Sequence, residues 1–489
     1  MTSQSEPRQG TDLPQRVSTL ELFFDLVFVF TITQLTSILA REVSFAAAGQ
    51  VLLIFGVLWW MYGAYAWLTN TRTPVQAPER LLLLVGMAGF LIIGLAIPHA
   101  FGTPTTHGRD GVALGIGYLL VVLVHGGLFL RVNRNIQLVI PFNLASALLV
   151  IIAGLVPSGA AYALWAAALA LQVLSPLVVP VRGRFTIAPA HFVERHGALI
   201  IVAFGESVAD IGIGAEGQRV TFALALSAAL GLALAASLWW AFFGTGDDDL
   251  AEEAMTAADP AVRPQLALNA YFYAYIPILL GIVAAAAGLK HAIGHPGAAL
   301  PAGPALALAG GVTLFLAGDA LFRRALRIGT PWYRAAGAAL ALACWPAAAT
   351  LSAAAGIVLL TVVVAATLAA ERMAGGLPLK HDRQVHAARD GAGVERRPQV
   401  RAVVPGGDAG ARGPRAGGNS ARFGSRPRPF CASSYPRSGG SDRSRDRTRR
   451  DRVPHRLGGQ YRTAVRGGLR ALRDDLLRSA RHRARRPAR

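Results

Sequence analysis

Arg80-Leu-Leu-Leu-Leu-Val-Gly-Met-Ala-Gly-Phe-Leu-Ile-Ile-Gly-Leu-Ala-Ile-Pro-His99 is an apolar run with no charged side chain between its two ends. About 20 apolar residues in an α-helix span a bilayer core, and this stretch supplies that length. Eleven further segments of the same character flank it: 19–40, 47–69, 111–130, 136–156, 160–180, 194–214, 219–243, 266–288, 302–322, 334–351 and 353–371. The last two meet around Ser352 and can also be read as one long segment. The runs are continuous, without alternation at period two, so helices are expected rather than a barrel. Pro141, Pro176, Pro277 and Pro346 fall inside them and mark expected kinks. The fold expected is all-α, a polytopic membrane bundle of about 12 transmembrane helices.

Composition agrees. Of 489 residues, 53% are hydrophobic and 16% charged, whereas soluble chains carry about a quarter charged residues. Two cysteines, Cys344 and Cys431, make neither a disulfide framework nor a metal knuckle. The first 18 residues are polar and include Pro14, unlike a cleavable signal peptide. A soluble enzyme domain, a secreted disulfide scaffold and a coiled coil are excluded. The lipid bilayer is the first partner implied.

Charge is placed unevenly. From Lys380 to Arg489 there are 29 basic and 9 acidic residues, which accounts for the whole formal charge of +20. Counting Lys and Arg in alternate loops puts 14 on one side of the membrane and 4 on the other. The positive-inside rule then expects both termini in the cytoplasm of a cell with a plasma (inner) membrane.

The two halves echo each other. Leu58-Trp59-Trp60 matches Leu238-Trp239-Trp240, Leu128-Phe129 with Arg131 matches Leu321-Phe322 with Arg324, and Glu21 matches Glu194. Six spans per copy is an even number, so parallel repeats about an axis along the membrane normal are expected. The expected domains are a cytoplasmic segment 1–18, a first six-helix repeat 19–180, a second at 181–375, and a tail at 376–489.

Ionisable groups inside spans cost about 2.5–3.5 kcal/mol each on insertion scales, so they need partners or a task. The first span carries Glu21 and Asp25 one turn apart, then Thr31, Thr33, Gln34 and Thr36. The seventh carries Glu206 and Asp210 one turn apart, with Ser207 beside them. His125 lies in the fourth span and Asp319 near the equivalent position of the tenth. One reading is a proton or cation path through the bundle. The other is structural: Asp319 pairs with Arg323, Asp25 with Arg131 or Arg134 at the same depth, and Glu21 caps its own helix. Glu206 has no basic residue within two turns, is expected near the midplane, and is the strongest functional candidate.

Other patterns carry no chemistry. Gly212-Ile-Gly214-Ala-Glu-Gly217 fits a dinucleotide fingerprint by letter, yet it follows a membrane helix rather than a strand. His191 and His196 are five apart and diverge by about 140° on a helix, so no metal is expected with Glu194. Asp247-Asp248-Asp249 with Glu252 and Glu253 reads as a solvated cytoplasmic loop. No nucleophile–base or metal set remains, so no catalytic residue, cofactor or enzymatic activity is expected.

Ser18-Thr-Leu-Glu21-Leu-Phe-Phe24-Asp25-Leu-Val-Phe-Val-Phe-Thr-Ile-Thr-Gln34 resembles the opening signature of the bacterial low-temperature-requirement A family. His191-Phe-Val-Glu194-Arg195-His-Gly197, leading on to Gly205-Glu206-Ser207, resembles its second signature, with His196 at the variable position. The resemblance covers about residues 15–375. It implies a multi-pass membrane protein named for growth at low temperature, with no established substrate. A looser likeness is to a potassium-channel family whose six-helix repeats open with an F-S-D motif. Here Phe23 and Phe24 precede Asp25, and the seventh span has no such motif. The function expected is transport or conduction of a small ion or solute; a non-transporting membrane factor acting through protein or lipid is the alternative.

Beyond Gly375 the apolar pattern stops and Arg, Gly, Pro and Ser dominate. Such a segment cannot bury enough to fold and is expected to be disordered. Two readings stand: an arm for anionic lipid without specific nucleic-acid binding, or a frame-shifted extension of GC-rich coding sequence.

Overall fold

The computed structural model describes residues 16–72, 74–101, 110–179 and 185–375. The expectations for 1–15 and for the tail at 376–489 lie outside the described residues. Among those described the regular structure is entirely helical. Ser18 opens α1 (Thr19–Arg41) with a reciprocal cap: its hydroxyl accepts from the Glu21 N–H while the Glu21 carboxylate takes the Ser18 N–H at 2.9 Å. Then come α2 (Phe45–Thr71), α3 (Ala77–Ala96), α4 (Asp110–Leu130), α5 (Ile140–Ala153) and α6 (Ser158–Val178). The second part holds α7 (Pro189–Gly214), α8 (Phe222–Trp239), α9 (Asp247–Ala257), α10 (Arg263–Ala267), α11 (Tyr275–Ile293), α12 (Ala302–Leu326), α13 (Pro331–Ala343), α14 (Trp345–Thr350) and α15 (Ala353–Met373).

Among the described residues ten helical stretches are long and apolar enough to cross a membrane, counting α8 with α9 and α10 with α11 as continuous. Two of the expected spans are shorter as helices. Pro141 sits in the first turn of α5, so a tight turn over Arg134–Leu138 precedes a helix of 14 residues. Pro346 sits in the first turn of α14, which breaks the eleventh segment into helices of 13 and 6 residues. Both still run lengthwise beside a long neighbour. Along α5, Ile140 lies against Gly126, Ile151 against Gly115 and Gly154 against Gly111, so it returns over the whole of α4. The end of α14 bonds to the α11–α12 connection, where Leu300 N–H donates to Ala348 O at 2.9 Å.

Packing follows the same order in both parts. α1 packs on α2 and α3, α3 on α4, α4 on α5, α5 on α6, and α6 returns to α2. α7 packs on α8 and α11, α11 on α12, α12 on α13, α13 and α14 on α15, and α15 returns to α8. The tightest crossing, α11 on α12, is made by glycines, and a methyl at Gly288 would stand 2.6 Å from Leu308 N. Contacts of α1 with α7 and α11 join the two parts. There an aromatic column of Phe28, Trp59, Tyr62, His196, Tyr271 and Tyr275 is fully buried. The matched tryptophans differ in surroundings: Trp59 is buried whereas Trp239 is 39% exposed, and Trp60 is buried whereas Trp240 is 50% exposed.

The wide π turns at Trp240–Gly244 and Leu268–Tyr273 interrupt the seventh and eighth of the ten stretches. Pro277 follows the second, and its missing N–H leaves the Tyr273 carbonyl without its helical donor.

Candidate functional site

The seven candidate side chains do not line one path. They occupy three places with ionic chemistry and one apolar cavity.

The first place lies between α1, α2 and α7. Arg195 donates to Glu21 Oε1 at 3.1 Å, to Asp25 Oδ1 at 3.2 Å and to the Thr69 hydroxyl. Its guanidinium lies over the rings of Phe24 and Tyr62, 5.5 and 5.7 Å from their centroids. Tyr62 OH donates to Asp25 Oδ1 at 2.9 Å, and His191 Nε2 stands 3.2 Å from Glu21 Oε1. Every ionisable member is at most 1% exposed. Asp25 therefore pairs with Arg195, not with Arg131 or Arg134, which are exposed at the end of α4. Equal depth suggested those partners, but α1 turns this face to α7. Glu194 points the other way, exposed, and accepts the Val17 N–H at 3.2 Å.

The second place gathers the ends of α12 and α15 with the starts of α9 and α13. Arg323 grips Asp247 with two donors, Nε at 2.7 Å and Nη2 at 2.8 Å, and reaches Glu371 with Nη1. Asp319 Oδ1 is 3.8 Å from Arg323 Nε, and its Oδ2 is 3.3 Å from Arg334 Nε. Arg334 also meets Glu371 Oε2 at 3.2 Å. Asp247 is thus 0% exposed rather than part of a solvated loop. Gly246, at φ 75°, turns the chain so that three aspartates form the first turn of α9, where the helix dipole favours them. Glu252 and Glu253 are exposed.

The third place lies between α1, α7 and α11. Glu206 Oε2 accepts from the Thr33 hydroxyl at 2.8 Å. Asp210 Oδ1 is 3.8 Å from Lys290 Nζ, and its Oδ2 has no hydrogen-bond partner among the described residues. Ser207 is buried beside them, while Glu206 and Gln34 are half-buried. α7 starts at Pro189, five residues before the expected 194, so Glu206 sits past the middle of its helix, toward the Lys290 end. Lys290 comes from another helix, which is why the neighbouring sequence held no cation for these acids.

His125 belongs to none of these three arrangements. Its Nε2 lies 3.1 Å from the Ala64 carbonyl and its ring packs against Tyr65 and Phe129. It lines a cavity of about 70 Å³ with Trp60, Trp67, Asn143, Ser175 and Phe272. Asp319, its expected counterpart, sits among guanidinium groups.

Gly212 and Gly214 end α7, where carbonyls rather than N–H groups are free, so the fingerprint-like run offers no phosphate cradle. His196 Nδ1 lies 2.8 Å from Phe192 O, while His191 faces Glu21. Among the described residues no group of three or more His, Cys, Asp or Glu side chains could hold a metal ion. Sequence reasoning missed Arg334, Glu371 and Asp247 as members of one cluster. The available signal was that all three lie at helix ends on the side where Arg323 also falls.

The family described as bacterial low temperature requirement A protein matches residues 16–370. An uncharacterized protein of Rhizobium meliloti is 27% identical over 342 residues, covering 65% of this chain and 79% of the relative. No solved structure matches.

Proposed function

This chain belongs to the bacterial low temperature requirement A family, and from that premise we propose that it moves a small cation, a proton or an alkali ion, across the bacterial plasma membrane. The proposed body is twelve crossings in two parallel six-helix halves with both termini cytoplasmic. The identical packing order of α1–α6 and α7–α15 supports the halves. The lengthwise runs of α5 beside α4, and of α13 with α14 beside α15, support two crossings beyond the ten long stretches.

One observation carries the activity. Glu206 and Asp210 stand one turn apart on α7 and face a single ammonium, Lys290, with the Thr33 hydroxyl between helices. Two carboxyl groups against one cation leave room for one more positive charge. Intramembrane acids of this kind mark ion pathways. The test is flux in proteoliposomes under pH and potassium gradients, with wild type and Glu206→Gln compared. Loss of flux at unchanged melting temperature is the expected result. Wild-type flux in a stable variant removes Glu206 from the pathway.

A second reading, a non-transporting membrane factor, has its own support. The Arg195 and Arg323 clusters pair most of the buried charge, as a scaffold would. Absence of any flux in the same liposomes would favour it. Neither reading requires a catalytic residue or a cofactor.

A further inference from the structure

The cluster around Arg195 does not balance, and the imbalance can be followed to one atom. Asn70 fixes the proton arrangement on its α7 side. Its Oδ1 accepts the Ala188 N–H at 2.9 Å and its Nδ2 donates to the Ala188 carbonyl at 2.8 Å, so the amide has one orientation. The same Nδ2 stands 3.2 Å from His191 Nδ1, which must accept. The ring proton is then on Nε2, directed at Glu21. His191 adds no charge in this arrangement. Glu21 and Asp25 are left with one guanidinium between them.

The two acids are furnished differently. Glu21 accepts at both oxygens, from Arg195 at Oε1 and from the Ser18 N–H and hydroxyl and His191 at Oε2. Asp25 accepts two donors at Oδ1, and among the described residues Oδ2 has none. The groups facing Asp25 are Glu21 on its own helix, Tyr62 on α2 and Arg195 on α7, while His191 faces Glu21. From α3 the neighbour is the apolar Phe90, packed on Phe24. Asp25 is 0% exposed.

Magnitudes decide what occupies Oδ2. An uncompensated buried charge costs more than a neutral hydroxyl left without an acceptor. An alkaline-earth ion needs about six oxygen ligands, and among the described residues no group of three or more His, Cys, Asp or Glu side chains could hold a metal ion. A proton needs only one lone pair. We propose that the Arg195 cluster is a proton-binding site, with the proton on Oδ2 of Asp25, so that one carboxylic acid and one carboxylate flank the guanidinium. The site stands apart from Glu206 and does not depend on the cation pathway proposed there.

Infrared difference spectroscopy of the full chain in lipid at neutral pH tests this. Wild type minus Asp25→Asn should show the C=O stretch of a protonated carboxyl, shifted in D2O, with both proteins melting at similar temperatures. Glu21→Gln supplies the second arm. It leaves Asp25 as the only acid beside Arg195, so Asp25 should ionise and the band should vanish there too. A wild-type spectrum without the band overturns the proposal, as does a band that persists in Glu21→Gln. A band that appears only when sodium and potassium are replaced by choline would mean that an alkali ion, not a proton, fills the site, and would also overturn it.

Discussion

Arg195 has donors for three side chains on two other helices. Glu21 and Asp25 lie on α1, Thr69 ends α2, and the guanidinium reaches all three from α7. Removing one partner of a buried ionic group costs about 3–5 kcal/mol, because the other is left uncompensated. Arg195→Met should therefore lower the melting temperature sharply in detergent or lipid. Arg195→Lys should fall between, since an ammonium keeps the charge but cannot fork to two carboxyl groups. A wild-type melting curve for Arg195→Met would mean that this cluster does not hold α1 to α7. At this scale the sequence was half legible. The acids announced themselves by sitting in apolar spans, and the self-capping of Glu21 and the Asp319–Arg323 pair are one-turn relations that spacing alone reveals. The partnerships Asp25–Arg195, Asp210–Lys290 and Arg323–Asp247 join residues 76 or more positions apart, and no local spacing encodes them.

Among the elements, α11 and α12 show how backbone approach substitutes for a hydrophobic drive, which lipid removes. Gly281 and Gly288 on one helix meet Phe315 and Leu308 on the other at main-chain distance. Gly288→Ala should destabilise by about 1–3 kcal/mol through overpacking. Gly310→Ala, with nothing within 4 Å of its added methyl, should be neutral or stabilising by up to about 1 kcal/mol from helix propensity. The opposite signs are read by parallel thermal melts; equal effects would show that the crossing is loose. Span positions were legible because apolar length is a one-dimensional property. The shortening of α5 and the α13–α14 break were expected only as kinks at Pro141 and Pro346, since a proline fixes where a hydrogen bond is lost but not how the chain resumes. Asp247 was misread for a related reason: a helix can continue past an apolar run, and α9 does.

For the whole molecule, the Arg323 cluster constrains topology more tightly than loop charge does. The starts of α9 and α13 and the ends of α12 and α15 meet there, through Asp247, Arg334, Arg323 and Glu371. All four must lie on one side of the membrane. Between Asp247 and Arg323 the chain therefore leaves and returns, through α11 and α12, and in the proposed twelve-crossing body it does so again between Arg334 and Glu371. The second excursion works only if α13 with α14 crosses despite being short, and the bond from Leu300 N–H to Ala348 O ties its far end to the connection after α11. Lys290 lies toward that far end. A reporter active only outside the cytoplasm should be silent when fused at Gly375 and active when inserted after His295, next to Lys290. Glu371 and Lys290 would then be on opposite faces, as two parallel six-helix halves with cytoplasmic termini require. An active fusion at Gly375 would put Glu371 on the outer face with Arg323 and Arg334. The side rich in arginine would then face away from the cytoplasm, against the 14-to-4 count of basic residues, and the assignment of termini would fall while the even spacing of crossings survived.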